Sequence, residues 1–211
     1  MDEPGKNASF SLQVTEPARL QPVNSWNEGV ACRTLLEEPG LAHLGPEGRP
    51  HTRPANKLRE HIRSLLTLKN LSPQAQELII GAVLLWHDHL DEAHGIAQNI
   101  EDADGSLLHA IMHRREPDAG NSKYWFRRVG AHACYPAIAK QVASLLAGRD
   151  ERLAATLLPG GRWDPFAFVD ACAAVGEQRG NEARTSLLQK IQFVEVQSFL
   201  DHLCHSEETR A

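Results

Sequence analysis

The chain has four cysteines in 211 residues, Cys32, Cys134, Cys172 and Cys204. They lie far apart and form no CxxC pair, so neither a disulfide framework nor a thiolate zinc site is indicated. Long apolar runs are missing as well. Nothing approaches the ~18–20 residues that a helical membrane span needs, and mean hydropathy is -0.37, which argues against a membrane protein. No GxSxG elbow, phosphate-binding P-loop or dinucleotide-binding glycine motif occurs, so serine acyl transfer and P-loop nucleotide chemistry lack support. Period-two alternation bounded by turn dipeptides is also absent, which removes the usual signal for strands. Net charge is -5 with a pI near 6.1. That balance argues against a dedicated nucleic-acid coat. The opening MDEPGKNASFSLQ places acids where a secretory leader needs bases and then an apolar segment, so a cytoplasmic protein is expected.

What is present is ordinary globular usage, 42% hydrophobic and 23% charged residues, in a chain long enough to bury its own core. Seven of the twelve prolines fall at 4, 17, 22, 39, 46, 50 and 54. Proline removes a donor and fixes φ, so residues 1–54 read as an irregular arm laid over a helical body of residues 55–211. The arm holds one short helix over Glu28–Glu37, a loop GPEGRPHTRP and a first ten residues without fixed structure; Trp26 there and Trp163 later read as loop anchors.

Beyond Asn56 the apolar residues recur at helical spacing. Leu58, His61, Ile62, Leu65 and Leu66 share one face. Ser72-Pro73 reads as an N-cap followed by a first-turn proline, with Gln76 near the capping-box position. The segment ELIIGAVLLW is too densely apolar for a surface helix and is expected to be central. Asp104-Gly105-Ser106 and Pro117 read as breaks before helices over Leu107–Arg115 and Asn121–Val129. Cys134–Leu146 follows, then Phe166–Glu177 after Asp164-Pro165, then a helix capped by Asn181 and running through Leu203, an exposed part of which could support a homodimer. The fold class is all-α, about seven packed antiparallel helices.

Gly81, Asp88 and Ala93 recur 29 residues later as Ala110, Pro117 and Ser122. GAVLLWHDHLDEAHGIA and IMHRREPDAGNSKYWFRRV each resemble a tetratricopeptide or Sel1-like helical hairpin, although the period is shorter than the ~34 residues of the tetratricopeptide repeat. HRREPDAGNSKYWFRRVG also resembles a signature of a broad family of uncharacterised helical proteins. That resemblance implies a helical fold and brings no activity with it.

Six of eleven histidines, His87, His89, His94, His109, His113 and His132, lie within one central stretch. On a continuous helix His87, Asp91 and His94 would share a face, and His109 and His113 stand at i, i+4, a spacing that lets two imidazoles meet one ion. Packed as a hairpin, His87, Asp88, Asp91, His94, His109 and His113 form a candidate site for Zn, Fe, Mn or Ni. The zincin pattern does not apply, because HAIMH has Ala110 where the general base would stand. The plainer reading is half-buried histidines hydrogen-bonded across a hairpin, or histidines simply exposed. REHIRSLL, followed by LLWHDHLD, is similar to the HD-domain metal-dependent phosphohydrolases. That similarity implies a metal set of His61, His87, Asp88 and a later Asp170 or Asp164 that activates water against a phosphoester. The chain departs from that pattern after His-Asp, where His89-Leu90-Asp91 follow.

Between His87 and Asp104 there are six acids and no Lys or Arg, whereas His109 to His132 carries a balance of +3. For most of these side chains the simplest reading is salt bridging between neighbouring helices. The functional reading is an anion site on Arg114, Arg115, Arg127 and Arg128. Tyr124, Trp125 and Phe126 cannot all face one core, since helical neighbours differ by about 100°. The reading that follows is a binding module whose polar cleft uses Asp88, Asp91, His109, His113, Arg114, Arg115 and Arg128, walled by Tyr124 and Trp125. Its ligand would be an anionic small molecule or a protein partner, and the alternative is the metal-dependent hydrolase. One basic patch on an acidic protein does not suffice for nucleic acid.

Overall fold

A computed structural model describes residues 35–36, 40–66, 71–177 and 181–205. The helix expected over Glu28–Glu37 falls largely outside these residues, and Trp26 and the first ten residues do so entirely. The described residues are all-α: α1 (Ala55–Leu66), α2 (Pro73–Trp86), α3 (Leu90–Ala97), α4 (Ala103–Arg115), α5 (Ala119–Val129), α6 (Tyr135–Leu146), α7 (Glu151–Leu157), α8 (Pro165–Glu177) and α9 (Glu182–His205). Two short helices, α3 and α7, raise the number above the seven that periodicity suggests. Each is too brief to carry a clear period of its own. Among the described residues no helix is long and apolar enough to cross a membrane.

Side-chain caps set most of the helix starts. Ser72 accepts from the Ala75 N–H at 3.2 Å, Asp118 from Asn121 at 3.0 Å, Asp150 from Leu153 at 2.9 Å and Asn181 from Arg184 at 3.1 Å. Each satisfies an N–H that has no partner within its helix. Asp102 does the same for Gly105 at 2.8 Å, and here the sequence reading needs correcting. Asp104-Gly105-Ser106 does not interrupt the chain but forms the first turn of α4. Gly105 is required by packing: a Cβ there would stand 2.1 Å from the Ile100 carbonyl oxygen.

The centre consists of two successive helical hairpins, α2–α3 and α4–α5, with α4 packed most extensively on α5. Their first helices end at Trp86 and Arg115 and their second helices begin at Leu90 and Ala119, each pair 29 positions apart. The small residues sit where the helices cross. Gly81 leaves room for Leu108 and Ile96, which a Cβ would meet at 2.6 and 3.2 Å, and the buried Ser122 hydroxyl donates to the Ala110 carbonyl at 2.8 Å. The helix α2 is central, as its apolar density implies, with ten buried residues. Unexpectedly, α4 is enclosed too: every residue from Gly105 to Arg115 is buried, including two histidines and two arginines.

Residues 40–54 carry no helix and lie against this body. Ala42 is buried, and the Gln192 amide donates to the His43 carbonyl at 3.1 Å. Trp163 is buried beside Phe168. On α1, Leu58, Ile62 and Leu66 face inward, while His61, at the edge of that stripe, is exposed. Replacing Gly105 by Ala is expected to destabilise the fold by about 1–3 kcal/mol, as overpacked interiors do, and chemical denaturation measures this directly.

Candidate metal centre

His94 projects from α3, and His109 and His113 lie one turn apart on α4. The rings of His109 and His113 are stacked, 4.8 Å between centroids and 16° between planes. His94 meets them at 4.8 and 5.2 Å. One ring nitrogen from each of the three residues lies within 4.8 Å of the other two, with His109 and His113 buried and His94 half-buried. From α5, Trp125 covers His109 at 3.9 Å with nearly parallel planes. Tyr124, 48% exposed, stands edge-on to Trp125, and the Arg128 guanidinium lies 5.2 Å from the Trp125 ring.

The polar contacts assign the proton on His113. Its Nδ1 is 2.9 Å from Glu116 Oε2. An ionised carboxylate only accepts, so Nδ1 carries the hydrogen. The other nitrogen, Nε2, then presents a lone pair, and the Asn121 amide lies 3.0 Å from it. His109 Nδ1 is buried without a hydrogen-bond partner among the described residues. Burial pushes the His109 imidazole down to about 4, and the neighbouring His113 and His94 act in the same direction. Burial also lowers His113, partly opposed by Glu116. Both rings are therefore neutral at pH 7, each with one lone pair, and that of His113 faces the Asn121 amide, which a bound ion would displace.

The remaining residues singled out in the sequence lie elsewhere. The shared face of His87, Asp91 and His94 does not form, because α2 ends at Trp86 with His87 as its C-cap and Asp88 adopts φ 68, in the left-handed region. His87 is buried and its Nε2–H donates to the Leu35 carbonyl at 2.8 Å. Asp88 accepts from both the backbone N–H and Nε of Arg49 at 2.9 Å and from Arg115 at 2.8 Å. Burial alone would raise the Asp88 carboxyl, but these bonds outweigh it and hold it low. Asp91 is exposed, on the rim of a hollow of about 300 Å³ shared with Glu92 and Glu116.

The polar cleft proposed around Arg114 and Arg115 likewise does not form as a unit, because both guanidinium groups are already engaged. Arg114 forms a two-pronged pair with Glu195, 3.0 and 2.5 Å, both side chains essentially inaccessible. It also lies 4.4 Å from the Phe168 ring. Arg115 pairs with Asp88 and donates to the Leu85 carbonyl. Arg127 and Arg128 are exposed on α5. The residues implied by the phosphohydrolase resemblance stay apart. His61 faces solvent, Asp164 caps α8 by accepting from Phe166 and Ala167, and Asp170 pairs with Lys123. His89 donates to the Arg53 carbonyl at 2.7 Å.

Among the described residues one further group could hold a metal ion, Asp104, His132 and His202. Sequence reasoning misses it because the three are separated by 28 and 70 positions with no local spacing to connect them. Glu116 and Asn121 escape notice for a smaller reason. Their distances from His113, three and eight residues, acquire meaning only once the α4–α5 turn is folded.

Two outcomes follow from these pairings. Glu195→Ala should cost about 3–5 kcal/mol in denaturation experiments, because it strands Arg114 as a buried, unpaired charge. The depressed His109 value means that the unfolded chain binds more protons than the folded one between about pH 6.5 and 4. Stability of the metal-free protein should therefore fall as pH drops through that window, and His109→Phe should flatten the slope of melting temperature against pH. No protein-family model, no curated protein and no solved structure matches this chain, so its own side chains must carry the functional reading.

Proposed function

We propose that this protein binds one divalent transition-metal ion through His94, His109 and His113, and that the ion keeps a position open for one further small ligand. The observation that carries the reading is the convergence of three ring nitrogens within 4.8 Å of one another, one ring having a buried nitrogen with no partner among the described residues. A buried polar atom left unpaired costs about 1–3 kcal/mol, and a bound cation offers such an atom a partner. The Glu116 carboxylate on His113 Nδ1 supports the same reading, since an outer carboxylate is the usual means of fixing the tautomer and orientation of a ligating histidine. The lowered His109 and His113 imidazoles leave no proton to displace from those two ligands at pH 7.

An all-imidazole donor set suits Zn, Ni, Cu or Fe better than the oxygen-preferring Mn. Three protein ligands on a four-coordinate ion leave one position for water or for an anion. The ion therefore takes over the anion-binding role that the sequence suggests for Arg114 and Arg115, whose charges are already neutralised. The hairpin pair α2–α3 and α4–α5, a tetratricopeptide-like arrangement in our reading, serves as its scaffold in a cytoplasmic binding protein. Glu116, the adjacent carboxylate, is engaged with His113, so the reading stops at metal and ligand binding and does not extend to hydrolysis.

Elemental analysis of untagged protein, purified without chelators or added metal, tests this. Near one Zn, Ni, Cu or Fe per chain is expected, lost in His109→Ala/His113→Ala, with Glu116→Gln weakening retention about 10–100-fold. Metal content unchanged by the double substitution, or a chelator-treated protein that gains no thermal stability from any of these ions, would overturn the proposal.

A further inference from the structure

The second group of candidate ligands lies at the opposite end of α4 and is built differently. Asp104 is in the first turn of α4, His132 in the segment between α5 and α6, and His202 near the end of α9. Five positions separate Asp104 from His109, which places them about 140° apart around the helix, so the two groups do not share an opening. The Nε2 atoms of His132 and His202 stand 2.8 and 2.9 Å from one and the same oxygen, Asp104 Oδ1. The two rings are 4.9 Å apart and steeply inclined at 73°. His132 is buried, and Asp104 and His202 are partly open to solvent.

We infer that Asp104, His132 and His202 form a second metal site, separate from the three-histidine centre, for a six-coordinate divalent ion of the Mn(II) or Fe(II) type. Adjacent ligands on an octahedral ion with bonds near 2.1 Å lie about 3 Å apart. The two His–Asp separations already match that spacing. Two imidazoles and one carboxylate take three of the six positions and leave three open, a donor set that suits these ions.

The surroundings accommodate both states of the site. Without an ion, His132 Nε2–H and His202 Nε2–H donate to Asp104, and His132 Nδ1 accepts from the Cys134 backbone N–H at 3.2 Å. With an ion on Nε2, the His132 proton moves to Nδ1, where Cys134 Sγ lies 3.0 Å away as an acceptor. The backbone N–H bond to Nδ1 is given up in exchange. Burial would raise the Asp104 carboxyl, but the hydrogen bonds from His132 and His202 outweigh it and keep the group well below the usual carboxylate range. It is thus anionic at neutral pH.

The inference stands whether or not the three-histidine centre binds an ion, and Mn(II) tests it alone. The full chain is stripped with chelator, dialysed and titrated with MnCl₂, following loss of the free-ion electron paramagnetic resonance signal, with melting temperature as a second readout. One Mn(II) per chain and a rise in melting temperature are expected. Asp104→Asn keeps an oxygen that accepts from both histidines but removes the charge. It should weaken Mn(II) at least about tenfold, as should His202→Ala, whereas His109→Ala/His113→Ala should bind Mn(II) as the unsubstituted chain does. Failure of the chain to take up Mn(II) overturns the inference. So does Mn(II) binding indifferent to Asp104→Asn and His202→Ala, which would leave the trio a hydrogen-bonded clamp between α4 and α9. Loss of Mn(II) in the His109/His113 variant alone would assign the ion to the other centre.

Discussion

Two consecutive arginines at the end of α4 organise this molecule. A helix enclosed over eleven successive residues would ordinarily be apolar all round, and α4 can end in Arg114-Arg115 only because each guanidinium finds a carboxylate inside the protein. Neighbouring positions on a helix point about 100° apart, so the two side chains reach different elements. Arg114 crosses to Glu195 in the middle of α9. Arg115 turns back to Asp88, in the bend that joins α2 to α3. The same Asp88 carboxylate takes Arg49 from the non-helical segment, and Arg115 also reaches the Gly45 carbonyl at 3.3 Å. Three parts of the chain, far apart in sequence, are thus held against the end of one helix. Desolvation makes such pairs a weak source of net stability but a costly thing to break. What they supply is a fixed arrangement of elements.

That arrangement determines which polar groups remain for chemistry. With Asp88, Arg114 and Arg115 consumed in the framework, the polar groups left on α4 point in two other directions. One carries His109 and His113 towards His94 under the cover of Trp125. The other carries Asp104 towards His132 and His202. Both arrays meet in the folded chain because α3 and α5 pack on α4 and α9 reaches it through Glu195 and His202. The first is rich in nitrogen and nearly closed, the second mixed in donors and partly open. Their different donor sets point to ions of different preference.

Much of the architecture is legible in the sequence because it depends on local chemistry. Ser72-Pro73, Asp164-Pro165 and Asn181 mark helix starts through side chains that serve as caps within three residues. The apolar density of ELIIGAVLLW announces a central helix, and the recurrence of small residues 29 positions apart marks the helix crossings at Gly81 and at Ala110–Ser122. The pairing of His109 with His113 is equally local, being fixed by the helical repeat alone. Asp104-Gly105-Ser106 is misleading for a specific reason. Glycine usually weakens a helix, yet Gly105 is inside one because the Ile100 carbonyl leaves no room for a side chain.

The sequence by itself thus determined an all-helical chain, its principal helix starts and a histidine-rich centre, since each follows from interactions between residues a few positions apart. Only the tertiary structure decided which polar residues are framework and which are free. Whether Arg114 is a ligand-binding group or half of a buried ion pair depends on Glu195, 81 positions away. Whether His94 or His87 joins His109 depends on the bend at Asp88, whose left-handed backbone ends one helix and redirects the next. Asp104, His132 and His202 share one oxygen across three elements, and no periodicity encodes that meeting. Such contacts arise from how helices cross, and crossings are set by packing over the whole domain.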